Sequence, residues 1–209
     1  PADFWEAART AIEAVKPVWM LAENADKLHL LNRAFNANYG WPFHHLMNDI
    51  AKGKKPANAV FDMLREAAAA YPKGSYAMQF ITNHDENSWQ GTEYERLGAA
   101  GVEAFSVRYY TVPGIPLIYS GQEAAFNRRL KFFEKDPIDW GDYALAPFYT
   151  KLNALKRQNP ALWNGRHGGP LWEIKHERPE SVAAYIRATG KNKVLTVVNL
   201  TGEAAEVGL

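Results

Sequence analysis

Residues 76–87 read Tyr-Ala-Met-Gln-Phe-Ile-Thr-Asn-His-Asp-Glu-Asn. Tyr76 to Ile81 form a short, nearly continuous apolar run, and Thr82 to Asn87 then carry six polar side chains in succession. A parallel strand buried on both faces has this unbroken apolar character. The abrupt change to polar chemistry at its end decides the fold, because the pattern recurs on both sides. Upstream, Pro17 to Ala22 is apolar and stops at Glu23. Downstream, Ile115 to Tyr119 runs into Ser120-Gly121-Gln122-Glu123.

Helical patterns separate these strands. Asp3–Val15 places Phe4, Ala7, Ala8, Ile12 and Val15 on one face, with Asp3 as the expected N-cap and Glu6 completing a capping box. Arg33–Trp41 reads as a further short strand, followed by helices at Pro42–Ala51 and Ala57–Tyr71. Thr92–Tyr110 reads as one long helix, and Ala146–Gln158 as the last. Regular alternation of strand and helix predicts an α/β fold with a parallel sheet. In a (β/α)8 barrel the residues at strand C-terminal ends meet the substrate, an address shared by Glu23, His84, Asp85 and Glu123. Glu23 and Asp85 are expected at adjacent strand ends.

After Pro160 the pattern changes. Gly165, Gly168, Gly169 and Pro170 punctuate a linker, and Leu171–His176, Ser181–Ala188 and Lys193–Asn199 alternate as short strands. The expected organisation is a barrel portion at 1–165 and the start of an antiparallel β domain at 166–209, cut off at Leu209.

Composition narrows the function. Among 209 residues, 24 Lys and Arg nearly balance 23 Asp and Glu, with no basic run that would draw the chain to phosphate backbones or anionic lipid. No apolar stretch approaches the roughly 20 residues of a membrane helix. Nucleic acid and membrane are therefore not expected partners, and any signal peptide is expected to lie outside these residues. The absence of cysteine excludes thiolate chemistry and leaves the compartment open. Seven Trp, ten Tyr and ten Phe exceed what a core of this size needs. Sugar rings have apolar faces that suit aromatic platforms. Trp41, Trp89 and Tyr119 are the candidates, and Trp89, in a polar loop, is the preferred substrate-binding one.

Two strand-end carboxylates, Glu23 and Asp85, fit a reaction in which one acid protonates a leaving oxygen and another charge stabilises a cationic transition state. The competing reading is that both are caps or ion-pair partners. The run Asn83-His84-Asp85-Glu86 imitates part of a metal site, but adjacent residues converge poorly on one ion, so no metal is assigned to this chain. His44 and His45 read as surface or packing groups.

Phe80-Ile81-Thr82-Asn83-His84-Asp85 resembles the F-x-x-N-H-D signature that ends the seventh barrel strand in the alpha-amylase family. Trp19-Met20-Leu21-Ala22-Glu23 is similar to the segment placing the acid/base after the fifth strand. Gly114-Ile115-Pro116-Leu117-Ile118-Tyr119-Ser120-Gly121-Gln122-Glu123 is similar to the G-x-P-x-x-Y-x-G-x-E of the eighth. The three motifs occur in the family's order. The resemblance implies a partial (β/α)8 TIM barrel, roughly strands 5 to 8, followed by a truncated antiparallel β domain.

It also implies a glycoside hydrolase acting on α-1,4-glucans, such as starch and maltooligosaccharides, by a retaining double displacement. Glu23 becomes the general acid/base and Asp85 the transition-state carboxylate. His84 binds the same sugar, Asn83 joins the substrate-binding group mainly by tying the loop, and Glu123 is shared between substrate and loop structure. The family's nucleophilic aspartate and its usual calcium ligands are expected upstream of Pro1, so these residues alone are expected to be inactive. No cofactor is expected within them. The alternatives are a transglycosylase or α-1,6-glucosidase of the same family, and a non-catalytic carbohydrate-binding relative.

Overall fold

The computed structural model describes every residue, Pro1–Leu209. Four short strands, β1 (Leu21–Ala22), β2 (Ala37–Tyr39), β3 (Tyr76–Gln79) and β4 (Ile115–Pro116), form one sheet in that order. All three pairings are parallel, with Ala22 opposite Asn38, Tyr39 opposite Met78, and Gln79 opposite Pro116. Parallel neighbours need crossover connections. A 3₁₀ segment, Leu28–Asn32, lies between β1 and β2, and helices α2 (Trp41–Ala51) and α3 (Ala59–Ala70) lie between β2 and β3. A π-helical turn, Glu86–Gln90, with α4 (Glu93–Leu97) and α5 (Ala99–Thr111), connects β3 to β4.

The strands are shorter than the apolar runs suggest. β1 and β4 are edges with one neighbour each, and Pro116 has no N–H to offer a ladder. Single bonds from Ala37 N to the Met20 carbonyl and from Leu117 N to the Gln79 carbonyl extend the pairing slightly. Trp19 stays 51% exposed, so its segment is not buried on both faces as expected. The first helix, α1 (Ala2–Glu13), starts after Pro1 without a side-chain cap, so the expected Asp3 N-cap does not form. Asp3 instead sits in the first turn, where a carboxylate favours the helix dipole. The single helix expected over Thr92–Tyr110 is broken at Gly98, whose φ of 74° a helix cannot accommodate.

Behind the parallel sheet, Phe43 and Met47 of α2, Val60 and Phe61 of α3, and Phe105 and Tyr109 of α5 are buried in one core. The helix Ala146–Gln158 adds Tyr149 and Leu152. A second sheet is antiparallel, with strands β5 (Leu171–Glu173), β6 (Val182–Thr189) and β7 (Asn192–Asn199) in that order. Its inner residues Ala183, Tyr185 and Val198 enter the same core, and the Tyr185 and Thr111 hydroxyls lie 2.6 Å apart. The two sheets therefore share one apolar interior. No helix is long and apolar enough to cross a membrane.

Two cations, the buried Arg187 and the half-buried Lys156, join the layers. On β6, Arg187 donates to the carbonyls of Gly169, Leu162 and Trp163, and burial pushes its guanidinium down to about 10. Lys156 donates to the carbonyls of Tyr110 and Leu162, and burial, aided by the Arg187 charge, pulls its amine down to about 7. Between pH 7 and the unfolded value of 10.5 the unfolded chain binds the extra proton, so stability rises with pH across that window. Urea unfolding between pH 7 and 10 is expected to show that rise. Lys156→Met is expected to flatten it.

Candidate active site

Leaving β3, the chain enters a loop that its own side chains hold. The Asn83 Oδ1 accepts from the backbone N–H groups of Asp85 (3.1 Å) and Glu86 (2.9 Å), an Asx turn that hands the chain to the π-helical turn. Asn83 is itself 1% exposed, so it acts on the loop and shows the mouth little surface. The turn projects His84 and Asp85 toward the end of β1, where Glu23 follows directly. The His84 Nε2 lies 3.2 Å from Glu23 Oε1 and 3.7 Å from Asp85 Oδ2. Ligand-type atoms of these three residues lie within 4.8 Å of one another.

The two carboxylates are not at adjacent strand ends as expected, since β2 lies between β1 and β3. They converge above it, and the residue beneath is Tyr39, the last of β2. Burial raises the Tyr39 phenol pKa, and the Glu23 and Asp85 charges raise it further. Sequence reading passed over Tyr39, although its position at a strand end was the available signal. Trp41 stacks on Tyr39 at 6.2 Å and meets Phe80 edge-on at 5.0 Å, so this candidate platform braces the floor of the mouth.

Of the other candidates, Glu123 turns back on its own loop. Its Oε2 accepts from the Gly121 N–H at 3.2 Å, and its carbonyl from Leu145 N–H. Tyr119 is half-buried, with its N–H bonded to Gln122 Oε1. Trp89 is 55% exposed on the π-helical turn and packs against Phe132 at 5.2 Å. A cavity of about 440 Å³ lies elsewhere, between α3, the N-terminal end of β3 and Gly165–Pro170. None of Glu23, His84 and Asp85 lines it. These three form the one grouping of three ionisable metal donors in the chain, two carboxylates and an imidazole on an open surface.

Behind the loop lies a buried polar network that sequence reading did not find. The Arg96 guanidinium donates to the carbonyls of Ile81 (2.7 Å) and Gly91 (3.0 Å) and to Asn48 Oδ1 (2.9 Å). It thereby pins both ends of the segment carrying His84 and Asp85. Glu86, at the centre, lies 2.7 Å from His44 Nε2 and 3.9 Å from Arg96. Burial holds the His44 imidazole below its usual value, and the hydrogen bond and charge of Glu86 oppose that shift. His44 is fully buried, while His45 beside it is exposed.

No protein-family model matches the chain. The alpha-amylase MalA of Haloarcula japonica is 30% identical over 146 residues, which cover 68% of this chain and 21% of that protein. The structure of the maltogenic alpha-amylase AmyB from Thermotoga neapolitana superposes with a TM-score of 0.79 at 26% identity, covering 95% of this chain and 46% of that one. An alpha-amylase structure from Lactobacillus plantarum gives 0.82 at 23% identity, over 99% and 51%. Proteins named as 1,4-alpha-glucan branching enzymes and maltosyltransferases also match. The chain belongs to the alpha-amylase family, and its two sheets are a partial (β/α)8 barrel and a β domain. It spans about a fifth of the MalA relative and about half of the solved chains.

Removing Arg96 leaves Glu86 as an uncompensated buried charge and strips the Ile81 and Gly91 carbonyls of their donor. Arg96→Leu is expected to cost about 3–5 kcal/mol, measured by chemical denaturation. Arg129→Leu, which breaks an exposed pair with Glu95, is expected to change stability little.

Proposed function

We propose that this chain supplies the acid/base half of the catalytic site of an α-1,4-glucan hydrolase, with Glu23 as general acid/base. The observation that carries this reading is the convergence of Glu23, His84 and Asp85 at the C-terminal ends of parallel strands, with no hydrogen bond that buries them. Their side chains are 60%, 44% and 39% exposed, open to a substrate rather than consumed by the fold. Glu23 donates its proton to the glycosidic oxygen and then takes one from the incoming water. Asp85 binds sugar hydroxyls and stabilises the oxocarbenium-like transition state, while His84 hydrogen-bonds the same ring. Tyr39 stands beneath both carboxylates as the floor of that subsite.

In this reading the reaction proceeds with retention, and the attacking carboxylate comes from the end of a neighbouring barrel strand that these 209 residues do not contain. Residues 1–165 form the catalytic portion, and 166–209 a β unit that braces α3 and α5 from behind. The branching enzymes and maltosyltransferases among the relatives favour one second reading, in which a sugar hydroxyl replaces water as acceptor. Both readings use Glu23 identically, and the products of a maltooligosaccharide incubation separate them.

Three variants test the roles in a complete barrel. Glu23→Gln deletes the transferable proton but keeps the shape, and is expected to lower kcat roughly 100- to 10,000-fold with little change in substrate affinity. Near-normal turnover on starch would rule the assignment out. Asp85→Asn keeps the size and loses the charge, so kcat is expected to fall more than KM rises. An Asp85→Asn enzyme with a raised KM and unaltered kcat would leave Asp85 a mere binding group. Tyr39→Phe separates the phenol from the aromatic floor, and a loss confined to kcat would assign the hydroxyl to the transition state.

A further inference from the structure

The cavity of about 440 Å³ at the N-terminal end of β3 takes no part in the site described above. It stands at the opposite end of that strand from His84 and Asp85, between α3, the lead into β4 and the connection at residues 165–170. Its size is that of a small-molecule site. Leu64, Ala67 and Tyr71 of α3, Ala77 of β3, and Pro113 and Pro170 make much of its wall apolar.

The wall is fixed in place. Asn164 bonds both backbone groups of Gly114, its Oδ1 accepting from the N–H at 2.9 Å and its Nδ2 donating to the carbonyl at 3.0 Å, which ties the connection to the start of β4. At Gly114 and Gly165 the chain passes too close for a side chain. A Cβ would stand 2.7 Å from the Ala77 carbonyl in the first case and 2.8 Å from the Tyr76 hydroxyl in the second, so bare backbone forms that part of the lining.

The charges around the cavity have one sign. Its lining contains no Asp or Glu, and its charged residues are Lys73, exposed in the loop between α3 and β3, and Arg187 of β6, 2% exposed. Arg187 directs five hydrogen bonds to the carbonyls of Thr111, Leu162, Trp163 and Gly169, and no carboxylate pairs with it. Carbonyl dipoles solvate the cation without neutralising it. Its charge reaches Lys156, whose amine burial and that charge together pull down to about 7. A buried cation without a counter-charge is costly, and low-dielectric walls focus its attraction for an anion.

We propose that this cavity binds a small organic anion, with its apolar body against Leu64, Ala67 and Tyr71 and its charge balanced by Lys73 and Arg187. The apolar wall favours a hydrocarbon or aromatic body over a bare inorganic ion. Lys73 supplies the hydrogen bonds, since the donors of Arg187 are already taken up. The cavity shares no residue with the strand-end cluster, so the proposal does not rest on the function proposed above.

The probe is anilinonaphthalenesulfonate, an aromatic anion that fluoresces when its rings leave water, titrated into a protein with the complete barrel. Phenylnaphthylamine, the same skeleton without the sulfonate, is the neutral control. A single saturable site per chain is expected for the anion. Lys73→Glu is expected to weaken the anion about 5- to 20-fold and to leave the neutral molecule within about 2-fold of the parent. Ala67→Phe, which fills the space beside Leu64 and Tyr71, is expected to remove the binding of both. Lys73 is exposed, so Lys73→Glu is expected to unfold at the parent temperature, and it decides the matter if Ala67→Phe does not fold. No saturable binding, an unaltered anion affinity in Lys73→Glu, or an equal loss for both molecules would overturn the proposal. So would binding that survives Ala67→Phe in a folded protein, or binding that maltoheptaose displaces, which would put the probe at the strand-end mouth.

Discussion

The guanidinium of Arg96 is the interaction on which the geometry of the mouth depends. It bonds the backbone at Ile81, where β3 has just ended, and at Gly91, where the turn carrying Trp89 closes, and it neutralises Glu86 between them. A nine-residue excursion between two fixed points has little freedom left, and Asn83 removes more by holding the N–H groups of Asp85 and Glu86. An ion pair in this setting gains less as a stabiliser than as a positioning device, because desolvation offsets much of its attraction. What it secures is the direction in which His84 and Asp85 leave the backbone.

How much of this was legible in sequence depends on whether the signal was local. The run from Tyr76 to Asn87 carries strand, strand end and chemistry within twelve residues, so the parallel sheet and the address of His84 and Asp85 could be read directly. The antiparallel strands β6 and β7 were equally readable from their alternation. Other features are long-range. His44 and Glu86 are 42 residues apart, and nothing around His44 distinguishes it from exposed His45 until α2 packs against Phe80. The break at Gly98 was missed because a glycine within a helical pattern is tolerated more often than it bends the chain. Phe132 and Phe133 sit in a segment without periodicity, held by Arg128 and Asp136, and only the fold brings them to Trp89.

The polar groups divide into two populations with opposite treatment. Arg96, Glu86, His44 and Asn48 are buried and bonded to one another. Glu23, His84 and Asp85 face outward, and their mutual contacts of 3.2 and 3.7 Å leave most of their hydrogen-bonding capacity unused. A side chain can keep that capacity in reserve only if something else fixes its position. Here the fixing is done by backbone bonds on the far side of the loop, which leave these outward-facing atoms uncommitted. The exposed rings of Trp89, Phe132 and Phe133 follow the same rule, since the loops that carry them are tied together by Asn87 and by the Arg128–Asp136 ion pair. Interactions that determine shape and atoms available to a ligand are thus carried by different residues, so Arg96 or Asn87 can be perturbed without touching any group assigned to chemistry.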